Sequence, residues 1–298
     1  MTFLKRLARA RRAFLQDLGG EGAGKPDRRA AGFEREYFYL SPELALTRQK
    51  NGLLLYVDPL DETMSAHLIG YGYWEPNVYA VVTSLISPGD VVVEVGANVG
   101  YYTVAMGLMV GAEGRIHTFE ANARLAGMVQ RSSYINGLND RVTVHPKAVM
   151  ETPGSVRFER SRKRSGWGHV AHGDGHVFDD SEIVEVEAAS LDSLGLDRVD
   201  LIRLDAEGSE ALILRGASVI LAGNPDLVIC MEWDPTQMGS RADLPALVSW
   251  LSDQGFRLWR IEADASLAPI PMDKAAGLQT CDVVISRKPP TPAAGLMQ

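Results

Sequence analysis

The sequence predicts an α/β fold, a mostly parallel sheet covered on both faces by helices. Three observations predict it. From about residue 90 onward, strand-like and helix-like segments alternate. The alternation closes on a hairpin-like ending, "FRLWRIE" and "CDVVIS". A glycine turn joins the first of these runs, "VVVEV", to the first helical pattern, "YYTVAMGLMV". With 298 residues, of which 46% are hydrophobic, the chain can bury a full core.

The elements follow in order. Residues 1–32 read as a basic amphipathic helix and a linker. Phe3, Leu4, Leu7, Phe14, Leu15 and Leu18 fall near one helical face, Lys5, Arg6, Arg9, Arg11 and Arg12 occupy much of the rest, and "GGEGAGKPDRRAAG" follows. Such a helix either lies on an anionic membrane surface or packs on its own domain or a second subunit. Residues 33–87 form an extension packing on the core, with short strands in 37–58 and a helix at about 76–87 that ends at "SPGD". The main domain spans 88–287. Its strands are "VVVEV", "RIHTFE", "RVTVHPKAV", "VDLIRLD", "DLVICMEW", "FRLWRIE" and "CDVVIS". Helical patterns lie between most of them, including "ARLAGMVQRSSYIN", "SEALILRGASVILA" and "LPALVSWLSDQ". One region interrupts the alternation: within 148–190, "SVRFE" and "IVEVEA" flank a long polar loop, an inserted hairpin whose loop length marks it as functional or disordered. Residues 288–298 read as a flexible tail.

Composition excludes several roles. A formal charge of -8 disfavours a nucleic-acid partner gripped through its phosphates. Cys230 and Cys281 stand in apolar runs without a CxxC spacing, so they read as buried reduced thiols of a cytoplasmic protein rather than zinc ligands. No apolar run approaches the roughly 20 residues that cross a bilayer.

The glycine turn carries the chemistry. At a first strand's carboxyl end, Gly96 allows a sharp turn and Gly100 a close approach to a ligand or an adjoining strand. A dinucleotide turn, G-x-G-x-x-G, would need glycines where Asn98 and Tyr101 stand. The pattern is instead E-x-G-x-x-x-G. An acid at Glu94 suits a cofactor with a cationic portion, and S-adenosylmethionine carries an ammonium and a sulfonium. Glu120 ends the second strand, 20 residues past Gly100, where a carboxylate accepts both hydroxyls of a ribose. A nicotinamide-dependent oxidoreductase is the alternative, disfavoured by Asn98, Tyr101 and the absence of a Tyr-x-x-x-Lys pair. A non-catalytic cofactor-binding protein is another.

These residues resemble the FkbM-type S-adenosylmethionine-dependent methyltransferases. The resemblance rests on "GYWEPNVY", "PGDVVVEVGANVGYYT", "TFEAN", "SLDSL", "IRLDAEGSEALILRGA" and "VICMEW", and covers about residues 50 to 286. It implies a class I methyltransferase fold, Rossmann-like, with a seven-stranded sheet whose last strand is antiparallel. It also implies O-methylation of a hydroxyl, usually on a sugar of a glycan, glycolipid or glycosylated metabolite. Carried over, Glu94, Gly96, Asn98 and Gly100 form the methionine-side wall with Tyr102 beside them, Glu120 holds the ribose, and Asp205 faces the meeting point of methyl and acceptor. The sequence departs from the pattern at Arg203, where lysine is common, and at His169, where a small residue is common.

A hydroxyl acceptor must lose a proton, so a base is expected among Asp205, Glu207, Glu232 and His169. The three acids at neighbouring strand ends would alternatively bind a divalent cation, or hold sugar hydroxyls without metal. Glu210, at a helix start, reads as a cap. Trp167, His169 and His172, with His176 beyond, suggest an aromatic platform and a base for the acceptor, and Trp74 and Glu75 are placed to close the pocket. Homo-oligomerisation stays open.

Overall fold

A computed structural model describes residues 36–172 and 180–291. The expected N-terminal helix, His176 and most of the expected tail lie outside the described residues. The chain opens with an antiparallel meander of β1 (Tyr37–Ser41), β2 (Leu44–Arg48) and β3 (Leu54–Val57). Helices Met64–Tyr71 and Pro76–Ser84 then lead to β4 (Val91–Val95). The remaining strands are β5 (Arg115–Phe119), β6 (Val142–His145), β7 (Ala148–Val149), β8 (Gly154–Ser161), β9 (His169–Val170), β10 (Ser181–Ala189), β11 (Leu201–Leu204), β12 (Val228–Trp233), β13 (Arg257–Ile261), β14 (Leu267–Ile270) and β15 (Cys281–Ser286).

The central sheet runs β14-β13-β15-β12-β11-β4-β5-β6. Strands β12, β11, β4, β5 and β6 are mutually parallel, and β15 runs antiparallel between β12 and β13. Seven of these strands match the expected sheet, with its reversed last strand. The eighth, β14, is an added edge strand. Its sequence "LAPI" reads as loop because Pro269 cannot donate to a ladder, but a free edge tolerates that.

Alternation along the strands divides the core. Val92, Ile116, Leu201, Cys230 and Val284 bury on one face against helices Pro76–Ser84 and Tyr101–Met109. Val93, Val95, Ile202, Leu204, Ile229 and Ile285 bury on the other, against Glu210–Arg215, Ser218–Gly223 and Leu244–Asp253. The expected helix over "SEALILRGASVILA" is thus two helices. The break falls at Gly216, where any side chain would strike the Met150 carbonyl, 2.4 Å from an ideal Cβ. Likewise "RVTVHPKAV" splits into β6 and β7 around Pro146.

Two additions frame the strand ends. Strand β3 is covered by helix Ala123–Ile135: Ser132 Oγ and Asn136 Oδ1 accept the Tyr56 and Leu54 N–H groups, and Arg124 pairs with Asp58. The expected hairpin is the pair β8 and β10, part of a second sheet ordered β7-β10-β8-β9. Among the described residues, no helix is long and apolar enough to cross a membrane.

Candidate active site

The carboxyl ends of β4, β5, β11 and β12 open into a cavity of about 230 Å³. One wall comes from the turn after β4. Gly96 holds φ +83°, and an ideal Cβ there would lie 1.7 Å from the Asp205 carbonyl oxygen. Its glycine is therefore required by the adjoining strand end. Gly100, at φ +89°, faces Val129 of helix Ala123–Ile135 at 3.3 Å, so the close approach it permits is to a helix, not to the cavity. Asn98 adopts φ +52°, which aims its N–H at Glu120.

Glu120 is held by the backbone. Its Oε2 accepts the Asn98 N–H at 2.7 Å and its Oε1 the Asn122 N–H at 2.8 Å. Burial pushes its carboxyl up to about 7, and these two bonds oppose the shift. Each oxygen keeps a second lone pair. Glu94, in contrast, does not line the cavity. It is fully buried behind the wall, accepting from Thr103 and Thr118 at 2.5 and 2.8 Å, with the Arg203 guanidinium 3.9 Å from its Oε1. Burial raises its pKa.

The second wall is acidic. Asp205, Glu207 and Glu232 line the cavity, and a recess of about 50 Å³ beside it adds Asp282 next to Glu75. Burial, reinforced by Asp205, Glu232 and Glu210, pushes Glu207 up to about 8; burial and the charges of Asp205, Glu210 and Asp282 do the same to Glu232. Glu75 rises to about 7, from burial first and Asp205 second, although it accepts a hydrogen bond from Tyr102 at 3.1 Å. One cation sits among them. Arg203 donates to Asp205 Oδ2 at 2.9 Å and lies 3.9 Å over the Tyr102 ring. Glu210 accepts the Ala206 N–H at 2.8 Å, so it braces the loop before its helix.

The roof comes from elsewhere in the chain. Thr63, Met64, Trp74 and Glu75 cover one side; Phe158 and Ser165–Gly168 cover the other. Asp61 fastens the two, accepting from Thr63 and Ser65 on its own loop and from both the N–H and hydroxyl of Ser165. Burial opposes its ionisation, yet these bonds hold its carboxyl below the ordinary value.

The structure thus gathers Trp74, Glu75, Gly96, Asn98, Tyr102, Glu120, Trp167, Asp205, Glu207 and Glu232 around one cavity. His169 and His172 are not brought there. Strand β9 pairs with β8 so that His169 stands opposite Glu159, its Nε2 3.5 Å from that carboxylate, while Phe158 on the alternate side faces the cavity. Among the described residues no group of three or more His, Cys, Asp or Glu side chains is disposed to hold a metal ion. Asp205, Glu207 and Glu232 therefore share a wall without forming the ligand set the sequence allowed. Sequence reasoning missed Asn122, Ser165 and Asp282, and saw Arg203 only as a departure. Asn122 had a signal, an N-cap asparagine two residues past Glu120. Asp282 had none: it reaches the site because β15 inserts beside β12, with Asp282 opposite Glu232.

An open α/β sheet with its ligand turn after the first parallel strand, and a reversed strand inserted beside the fifth, is the class I methyltransferase architecture. A family model described as the methyltransferase FkbM domain matches residues 94–258, more than half of the chain, and the chain belongs to this family. It is an S-adenosylmethionine-dependent methyltransferase. Solved structures with similar folds include methyltransferase FkbM from Methylobacillus flagellatus, 16% identical over 67% of this chain and 44% of that one, with a TM-score of 0.42. An O-methyltransferase from Bacillus cereus in complex with SAH is 14% identical over 70% of this chain and 77% of that one, at a TM-score of 0.40. TYW2 of P. horikoshii in complex with MeSAdo is 10% identical over 84% of this chain and 74% of that one, at 0.43.

The residues present fit that cofactor. Glu120 has lone pairs for two ribose hydroxyls, and the acid-rich lining with one guanidinium suits a molecule carrying a sulfonium and an ammonium.

Proposed function

We propose that the protein methylates a hydroxyl oxygen of a sugar-containing acceptor, in a glycan, glycolipid or glycosylated metabolite. The observation that carries this reading is the acidic wall. A hydroxyl gives up its proton as its oxygen is methylated, and a carboxyl raised to about 8 is, in its ionised form, a stronger base than an ordinary carboxylate, more of it ionised as pH rises towards 8. Glu207 is the base in this reading. It lines the cavity, is pushed up to about 8, and is held at φ +49°, a backbone conformation costly for a non-glycine residue. Bound S-adenosylmethionine supplies a methyl group on a positively charged sulfur. Glu207, in its ionised form, would take the proton that the acceptor hydroxyl loses on receiving that methyl group.

The other groups orient. Asp205, fixed by Arg203, and Glu232 accept hydrogen bonds from neighbouring hydroxyls, and the Trp167 ring at the mouth offers a face to the C–H side of a sugar. Most of the acceleration in this reading is alignment. Two cysteines without a disulfide support placing the protein in the reducing cytoplasm.

The test is incubation with methyl-labelled S-adenosylmethionine and a panel of glycosides, followed by mass spectrometry of the product. Label in a methyl ether of a sugar supports the reading. Label appearing only on nitrogen or carbon acceptors overturns it.

A further inference from the structure

We propose that strand β1 is a docking surface for an anionic lipid bilayer. The strand is an exposed edge of large apolar residues: Tyr37, Phe38, Tyr39 and Leu40 are 41%, 49%, 60% and 51% exposed. Successive residues of a strand point to opposite sides, so both faces of β1 are uncovered. Among the described residues it is also the outer strand of its sheet, with β2 on one side only. Free edges are commonly guarded by charges or proline within the strand, and "YFYLS" has neither.

Charge selects the occupant. The 36 residues before β1 carry nine Lys and Arg against five Asp and Glu, on a chain whose formal charge is -8. A strongly basic stretch therefore runs directly into the aromatic strand. Anionic headgroups supply the opposite charge, and tyrosine and phenylalanine favour the headgroup boundary. One signal alone gives weak, reversible binding, and stable anchoring takes two together, such as an apolar insertion with a basic patch.

Position adds to this. The hairpin of β1 and β2 is joined to the cavity roof: Glu43 pairs with Arg162 at 2.7 Å, the Glu62 N–H donates to the Lys163 carbonyl, and Ser165 is bound to Asp61. Trp167, 44% exposed, stands on that roof. The inference rests on exposure and charge, and stands whichever acceptor the enzyme methylates.

Co-flotation of the full chain with vesicles tests it, using phosphatidylcholine alone and phosphatidylcholine with roughly one-third phosphatidylserine. The protein is expected to float with the anionic vesicles only, less so at high salt. Phe38→Ser with Tyr39→Ser, both exposed and so compatible with folding, should weaken partitioning about ten-fold or more without moving the melting temperature. Arg9→Glu with Arg11→Glu and Arg12→Glu should weaken it comparably. A wild-type chain that stays with the lipid-free fraction overturns the proposal, as does a Phe38 and Tyr39 variant that floats normally. A dimer in light scattering that this variant dissociates assigns the strand to a second copy and overturns it too.

Discussion

The two walls of the cavity hold their carboxylates by opposite means. At the ends of β4 and β5, Glu120 is fixed by two backbone N–H groups, each from a residue whose place the local turn determines. At the ends of β11 and β12, burial and the charge of Asp205 raise the proton affinity of Glu207 and Glu232, and the Arg203 guanidinium stands among them. Fixed hydrogen bonds give a wall a single geometry and oppose the rise in proton affinity that burial imposes, which in the proposed reading suits holding a cofactor. Burial beside neighbouring charge lifts the carboxyls of the other wall to about 8, which in the proposed reading suits taking a proton from an acceptor. Location within one cavity does not give acids one role.

The contrast can be broken most severely where the walls touch. Gly96→Ala forces a methyl into the Asp205 carbonyl, and is expected to cost about 4 kcal/mol or more, read as loss of soluble folded protein or a large fall in melting temperature. Next in size, Glu207→Gln should lower kcat by about 10²–10⁴-fold while leaving the dissociation constant of S-adenosylhomocysteine near wild type. Equal losses in both would remove the distinction between the walls. Glu120→Ala should do the reverse, raising that dissociation constant by roughly 10–100-fold, as measured by calorimetry.

A smaller effect concerns pH. Glu207 and Glu232 titrate at about 8 when folded, against an ordinary 4.5. Between these values the folded protein holds protons that the unfolded chain has released, so stability is highest at the acid end and declines as pH rises towards 8. The melting temperature should follow that course, and Glu207→Gln with Glu232→Gln should flatten it; an unchanged slope would show that the acids do not crowd one another. The smallest effect is Trp167→Ala, expected to raise the KM for a sugar acceptor about five-fold with kcat little changed.

What the sequence made legible was local. Gly96, Asn98 and Glu120 sit within 25 residues of one another along two strand ends, and their spacing alone places them together. Asp205, Glu207 and Glu232 were readable as strand-end acids for the same reason. Residues brought in by topology were not readable. Asp282 arrives through an inserted strand, and Asp61 meets Ser165 across 104 positions of chain. His169 shows a different limit: its type suggested a base, but strand alternation turns it towards Glu159, and no composition argument sees which way an alternation falls. Glu94 was rightly read as a strand-end acid of the first strand, while its two threonine partners, which take it behind the wall, lie on a helix and a neighbouring strand.

The Ser165 hydroxyl lies 2.7 Å from Asp61 Oδ2 and 3.2 Å from Asn98 Oδ1, yet it has one proton to give. The carboxylate is the stronger acceptor and claims it. Turning the Asn98 amide end for end would make its Nδ2 a donor to the same hydroxyl oxygen, and all three groups would then be served. Asn98 also presents the N–H that fixes Glu120. A single serine therefore keys the roof to the cofactor turn, and a roof fastened in this way leaves less freedom for a ligand to remove on arrival.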